Sequence, residues 1–100
     1  MYSALTTLPV GIFQGLAGLD MLDLGSNDLT TLPDGIFQDL TNLYYLNLKY
    51  NRLTILPDGI QDMTAMELLY MGHNDLTTLP DGILQDLTAL RWIDLSWNDL

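Results

Sequence analysis

The sequence predicts an α/β solenoid, in which similar short units stack side by side and pair their strands into one parallel sheet. Three observations predict this fold class. The segment LTTLPDGI occurs at 29–36 and again at 76–83, with the near copy LTILPDGI at 53–60 between them. The surrounding apolar residues recur at the same offsets, with a period of 24 residues and one copy of 23. Within each copy the apolar spacing changes from the alternation of a strand to the closer spacing of a turn.

A short strand is predicted in each copy, where two apolar residues stand two apart. Leu22 and Leu24 have this spacing, so their side chains face one side of the sheet while Met21 and Asp23 face the other. The strand recurs in three further copies, which predicts a short parallel sheet of about four strands on the concave side of the solenoid. The corresponding apolar pairs are Leu46 with Leu48, Leu69 with Met71, and Ile93 with Leu95.

An asparagine follows each predicted strand, where the chain leaves the sheet. Its side chain both donates to and accepts from backbone groups that a tight turn leaves unpaired, so the copies are expected to stack as a ladder. A turn with Pro and Gly comes next, and apolar residues such as Ile36 and Phe37 after it predict short helical or 3-10 turns on the convex side. The asparagines of this ladder are Asn27, Asn51, Asn74 and Asn98.

The repeats divide residues 1–100 into a single array without terminal caps. The partial repeat 1–15 precedes repeats 16–39, 40–62 and 63–86, and the partial repeat 87–100 follows them. Because a unit this small cannot bury its own leucines, stacking of neighbours is what closes the core. The repeat 40–62 reads DGIQDM where DGIFQDL is expected, which predicts a local dent in the convex side and no break.

The repeated residues resemble the leucine-rich repeat family, in its 24-residue class with the pattern LxxLxLxxNxLxxLPxGxFxxL. The resemblance covers essentially the whole chain and involves about ten positions per copy. It implies a curved arc with the strands on the concave face and short turns on the convex face. The chain differs from extracellular relatives in that it lacks their cysteine-rich flanking caps.

Composition argues against several classes of function. The chain has 13 acidic and three basic residues and a net charge of −10, so phosphate backbones and anionic lipids would repel it and nucleic acid is not an expected partner. No segment approaches about 18 consecutive apolar residues, so no membrane insertion is expected. Cysteine is absent, which excludes disulfides and thiolate metal sites within the sequence. No cofactor is predicted, and the composition does not indicate a compartment.

Four columns of residues on the outward side of the predicted strands vary between repeats, and together they are called the strand face. The first column is Met21, Tyr45, Leu68 and Trp92, the second Asp23, Asn47, Tyr70 and Asp94, the third Gly25, Lys49, Gly72 and Ser96, and the fourth Ser26, Tyr50, His73 and Trp97. Five of the nine aromatic residues lie there, and Tyr and Trp dominate binding hot spots. We therefore predict a module that binds a protein or peptide partner through this face. A structural explanation is that aromatic residues favour strands and brace one another. The predicted partner-binding residues are Met21, Asp23, Tyr45, Asn47, Lys49, Tyr50, Leu68, Tyr70, His73, Trp92, Asp94 and Trp97.

Two other chemistries are less favoured by the sequence. His73 with Asp94 and Ser96 is a conceivable catalytic set, but nothing in their spacing requires it, and the chain is not predicted to be an enzyme. Two acidic columns on the outer bends are explained by turn chemistry and solvation better than by a metal site. These columns are Asp34, Asp58 and Asp81, and Asp39, Asp62 and Asp86.

A second hypothesis places the function at the ends of the array. No repeat follows the last predicted strand to cover Leu95, and the first half repeat is equally open. Unpaired strand edges favour the addition of another chain. On this hypothesis the chain is a structural subunit or fragment of a larger assembly, which self-associates or docks to other subunits through its ends and one lateral edge.

Overall fold

Four short parallel strands form a single sheet in the computed structural model of the chain, which describes residues 5–56, 59–79, 82 and 85–100. The strands are β1 (Met21–Asp23), β2 (Tyr45–Asn47), β3 (Leu68–Tyr70) and β4 (Trp92–Asp94). Their order in the sheet is the order along the chain, as stacked repeats require. On the opposite side, a 3-10 helix spans Ile60–Asp62 and turns connect the other described repeats. The predicted solenoid with a four-stranded parallel sheet is confirmed.

The strands pair without any offset, so equivalent residues of successive repeats lie side by side. Leu22 is opposite Leu46, Leu46 is opposite Leu69, and Leu69 is opposite Ile93. This register holds across the repeat that is one residue short. The deletion is therefore absorbed outside the sheet.

The core lies between the sheet and the convex turns and continues from one repeat to the next. Leu22 and Ile93, on the two outer strands, are only partly buried, because each outer strand has one neighbour in the sheet. Full burial of each such side chain contributes about 1.5 to 3 kcal/mol, so the inner repeats supply most of the stability. The fully buried side chains are Leu29, Leu40, Leu43, Leu46, Leu48, Leu53, Ile60, Met66, Leu69, Met71 and Leu76.

The asparagine ladder expected from the sequence is present beneath the ends of the strands. Asn51 is buried, and its Nδ2 donates to the Leu48 carbonyl of its own repeat at 3.1 Å and to the Leu24 carbonyl of the preceding repeat at 3.0 Å. Its Oδ1 accepts from the Leu29 backbone N–H at 3.0 Å. Asn74 repeats the pattern one step along. The ladder thus fixes the bend that follows each strand.

The convex side has a cleft at the point where the repeat 40–62 is one residue shorter than the others. Its volume is about 250 Å³, and Phe37, Leu40 and Met63 form its apolar wall. Ile60 compensates in part, because its carbonyl accepts from the Met63 N–H at 3.1 Å as the Phe37 carbonyl accepts from Leu40 at 3.0 Å. The backbone turn is therefore preserved, while the volume of one side chain is missing.

Candidate functional site

Large apolar and aromatic side chains of the strand face are exposed, while the leucines of the same strands are buried beneath them. Alternation along each strand produces this division, because successive side chains point to opposite sides of the sheet. Leu46 and Leu69 point inward, and Tyr45 and Tyr70 lie half-buried on the outer side. The large apolar and aromatic side chains of the face that are exposed are Met21 at 49%, Tyr50 at 53%, Trp92 at 59% and Trp97 at 75%.

Tyr45 and Tyr70 form one aromatic contact on this face. Their ring centroids are 5.6 Å apart and the ring planes are inclined by 50°. The two residues are diagonal neighbours, since Tyr45 is paired with Leu68 and Tyr70 follows two positions later. Aromatic side chains are long enough to meet across such a diagonal. Leu68 lies half-buried beside them on the same face.

The fourth column of the strand face lies beyond the strands, in turns with left-handed backbone. Ser26, Tyr50, His73 and Trp97 each follow the end of a strand by three residues, and their φ angles lie between 57° and 60°. A side chain with a Cβ pays roughly 1 to 2 kcal/mol for this conformation. The bend is held by hydrogen bonds between repeats, of which the Tyr50 N–H to the Gly72 carbonyl, at 3.1 Å, is one.

Three of these residues, Tyr50, His73 and Trp97, form a continuous ring stack. The Tyr50 and His73 centroids are 4.3 Å apart with planes 14° from parallel. His73 and Trp97 follow at 5.4 Å and 13°. Parallel strands lie about 4.8 Å apart, which matches the spacing of stacked rings. The repeat geometry therefore aligns these side chains, and Ser26, their equivalent in the first repeat, has no ring.

Lys49 connects the ring stack to the tyrosine pair. Its ammonium nitrogen lies 5.9 Å from the ring centroids of both Tyr50 and Tyr70, within the range of a cation–π interaction. The same nitrogen is 3.5 Å from Oδ2 of Asp94, two repeats further along the array. The side chain of Lys49 therefore extends across the face toward β4.

Asp94 is the most strongly hydrogen-bonded acid of the strand face. Its Oδ1 accepts from the Ser96 hydroxyl at 2.6 Å and from the Ser96 N–H at 3.0 Å. The Ser96 hydroxyl foremost, then the Ser96 N–H and Lys49, hold the pKa of Asp94 below its ordinary value. A Cβ on Gly72 would lie 3.1 Å from the Ser96 Oγ, so a glycine leaves room for this pair. Ser96 is not among the partner-binding residues predicted from the sequence, although its spacing of two from Asp94 is a recognisable signal.

Asp23 and Asn47 likewise accept a hydrogen bond from the backbone N–H two residues later in the chain. The Asp23 Oδ1 accepts from the Gly25 N–H at 2.9 Å, and the Asn47 Oδ1 accepts from the Lys49 N–H at 3.0 Å. Asp23 is exposed, and no basic side chain of the described residues forms an ion pair with it. The first repeat therefore presents an uncompensated carboxylate at the edge of the strand face.

The structure brings the predicted residues together in two groups joined by Lys49, with others at the periphery. The tyrosine pair and the ring stack are the two groups. Met21 on β1 and Trp92 on β4 belong to neither of them and are exposed on the outer strands. The surface is thus a shallow face with aromatic rings in three of its four columns.

The conceivable catalytic set does not assemble within the described part of the chain. The His73 ring is enclosed by Tyr50 and Trp97, and the Ser96 hydroxyl donates to Asp94 instead of to the imidazole. The described residues contain no group of three or more His, Asp or Glu side chains placed to hold a metal ion. Two members of the acidic columns, Asp58 and Asp81, lie outside the described residues.

The repeat pattern matches the family model described as leucine rich repeat over residues 1–53, 25–76 and 54–100, which together span the sequence. The chain belongs to the leucine-rich repeat family. Leucine-rich repeats generally bind proteins and are typically non-enzymatic. A comparison with curated proteins finds no match. In the part of this leucine-rich repeat array that the structure describes, no helix is long and apolar enough to cross a bilayer.

Charge is unevenly distributed along the strand side of the leucine-rich repeat array. Lys49 is paired with Asp94, and Arg91 is 3.7 Å from Glu67 on the exposed rim. The first repeat contains acidic residues but no basic ones, because Lys49 is the first basic residue in the sequence. The exposed acids within β1 and near it in the chain are Asp20, Asp23 and Asp28. The two ends of the face therefore differ in their charge balance.

Proposed function

We propose that this leucine-rich repeat array is an interaction module that binds a protein or peptide through its strand face. The exposure of Trp92, Trp97, Tyr50 and Met21 above a sheet of buried leucines is the observation that supports it best. A contiguous exposed apolar patch usually marks an interaction site, and Tyr and Trp offer large contact area at low cost in conformational entropy.

Aromatic rings anchor the partner in this proposal, and the polar residues set its orientation. The anchors are Tyr45, Tyr50, Tyr70, Trp92 and Trp97, with Met21 and Leu68 adding apolar contact. Asp23, Asn47, Lys49, His73 and Asp94 provide charges and hydrogen-bonding groups between the rings. The partner lies across the repeats, because both aromatic groups extend from one repeat to the next.

The backbone of the ring stack supports binding over a purely structural role. Left-handed φ angles favour Gly and Asn, yet the chain places Tyr50, His73 and Trp97 there. Stacking of an aromatic pair stabilises the fold by about 0.5 to 1.5 kcal/mol, which roughly offsets the free-energy cost of the left-handed backbone. Rings at these positions therefore contribute little net stability.

Substitution of two rings tests the proposal. The double variant Tyr70→Ala, Trp92→Ala should weaken capture of a bound partner by at least about 30-fold, because the loss of even one hot-spot residue costs about 2 kcal/mol or more. Ile55→Ser is the matched control, because Ile55 is 61% exposed and apolar but lies outside the strand face. Far-ultraviolet circular dichroism checks that each variant is folded. Capture that survives the double substitution contradicts the proposal.

The second hypothesis, in which the ends contact other subunits, stays a prediction. Leu5 in the first partial repeat and Leu100 in the last are both exposed, whereas the equivalent leucines of the inner repeats are buried. Sedimentation equilibrium of the purified chain tests it. Concentration-dependent self-association that a polar capping repeat abolishes supports the hypothesis, whereas a monodisperse monomer at high concentration contradicts it.

A further inference from the structure

Among the described residues, His73 is the one ring that stacks on Tyr50, and the Tyr50 side chain is 53% exposed, so its second face carries no stacked ring there. The first face stacks on His73 at a centroid distance of 4.3 Å. The equivalent position in the preceding repeat is Ser26, which has the same left-handed backbone and no ring. The Ser26 N–H donates to the Lys49 carbonyl at 2.9 Å, so Ser26 lies one repeat step from Tyr50. A planar group placed above Ser26 would stack on the Tyr50 ring, on the side opposite His73.

The surroundings of this ring face select for positive charge. The Lys49 ammonium lies 5.9 Å from the Tyr50 ring centroid, and its charge is compensated by Asp94, whose Oδ2 is 3.5 Å away. No basic residue precedes Lys49 in the sequence, and the exposed Asp20, Asp23 and Asp28 have no ion pair among the described residues. The Asp23 Oδ1 is occupied by the Gly25 N–H, whereas its Oδ2 makes no hydrogen bond within the described residues. A cationic partner group would meet an uncompensated carboxylate here.

The guanidinium group of arginine fits both the uncovered ring and the carboxylate. It is planar and permanently charged, it stacks on aromatic faces, and its N–H groups bind carboxylates in a fixed fork. A lysine ammonium lacks the planar face, a neutral ring lacks the charge, and a carboxylate would be repelled. We propose, on the basis of the function proposed above, that the partner inserts an arginine over Ser26, stacked on Tyr50 and paired with Asp23.

Five synthetic peptides test which chemistry this position takes. They are acetyl-Gly-Gly-X-Gly-Gly-amide with arginine, citrulline, lysine, phenylalanine or glutamate at X. Citrulline keeps the planar shape of arginine and removes the charge. In an NMR titration of the full chain, the arginine peptide should shift the Tyr50 ring and Ser26 amide signals and bind at least about tenfold more tightly than each of the other four.

Two variants and one control locate the site. Ser26→Tyr places a ring on the uncovered face and should abolish binding of the arginine peptide, and Tyr50 shows that a tyrosine adopts this backbone. Asp23→Asn should weaken binding about tenfold, as expected for the loss of one charge-assisted pair. Asp86→Asn makes the same change in net charge at an exposed position of the last convex turn and should leave binding within about twofold.

Equal binding of the citrulline or phenylalanine peptide overturns the inference, as does wild-type affinity in Ser26→Tyr or shifts confined to Trp92 and Trp97. These outcomes are distinct from failure of the proposed function. One outcome is that the arginine peptide does not bind at Ser26 while partner capture still requires Tyr70 and Trp92. The strand face is then an interaction surface, but a group other than arginine occupies the position above Ser26. If capture is independent of Tyr70 and Trp92, the proposed function itself fails.

Discussion

Tyr50 and His73 stack with their ring centroids 4.3 Å apart, and both residues have left-handed backbone, with φ of 60° and 57°. The stack and the strained backbone are two consequences of one bend, which the asparagine ladder repeats after each strand. The same bend holds Tyr50, His73 and Trp97 at the edge of the sheet, where their rings stack from one repeat to the next. Mutation can therefore distinguish the asparagines that fix the bend from the rings that the bend places on the surface.

Asn51→Ala should destabilise the chain by about 2 to 4 kcal/mol. The substitution leaves the buried Leu29 N–H without its acceptor and removes the bond to the Leu24 carbonyl of the preceding repeat, although that carbonyl still accepts from Asn27. Urea denaturation measures the loss. Asn42→Ala is the control, because Asn42 is exposed and makes one hydrogen bond, to the Ala17 carbonyl at 3.0 Å, so its loss should stay below about 1 kcal/mol. Equal losses in the two variants would show that the ladder is not a stabilising element.

Asp94 should stabilise the fold in a pH-dependent manner. Its pKa is lower in the folded chain than in the unfolded chain, so the stabilising effect is complete above the ordinary carboxyl pKa of about 4 and is lost as the pH falls through the lowered value. The effect is small because the side chain is partly exposed. NMR titration of the carboxyl group reads the pKa directly.

Ser96→Ala provides the comparison for that titration. Since the Ser96 hydroxyl is the largest cause of the shift, its removal should raise the pKa of Asp94 by more than Lys49→Met does. A larger rise in Lys49→Met would mean that the ion pair dominates.

Insertion of a phenylalanine between Ile60 and Gln61 should stabilise the chain by about 1 kcal/mol. The insertion restores the 24-residue repeat and places an apolar side chain in the cleft beside Phe37 and Met63. Phe37 already stacks on Phe13 at 6.1 Å, so a third ring would extend that row. The midpoint of urea denaturation measures the gain. A serine insertion at the same point has the same length and should not stabilise, and an equal effect of both insertions would rule out cleft filling.

The sequence predicts the fold because the repeat constrains each residue in several ways at once. Leu46 stands two residues from Leu48 and 24 from Leu22, so its strand, its inward direction and its neighbours follow together. The side of Tyr45 and Tyr70 follows from the same alternation. Periodicity shows which side of the sheet a residue faces, and this is sufficient to predict which residues form the strand face.

Three features of the strand face could not be predicted from periodicity. The left-handed backbone is readable where the residue is Gly, but Tyr50 and Trp97 give no such signal because the bend is imposed by the ladder. Stacking depends on side-chain rotamers, which the pattern leaves open. The contact between Lys49 and Asp94 spans two repeats and depends on how far the lysine extends, which no local rule determines.

The central claim is that leucines beneath the sheet hold the array together while the rings above it are free to bind. The free energies of unfolding of Leu69→Ala and Trp97→Asn, measured side by side in urea, test this division most directly. Leu69 is fully buried, so its truncation should cost about 2 to 5 kcal/mol. Asparagine tolerates the left-handed backbone at 97, so Trp97→Asn should lie within about 1 kcal/mol of the parent chain. A loss in Trp97→Asn as large as that in Leu69→Ala would contradict the account, because the ring would then be part of what holds the fold together.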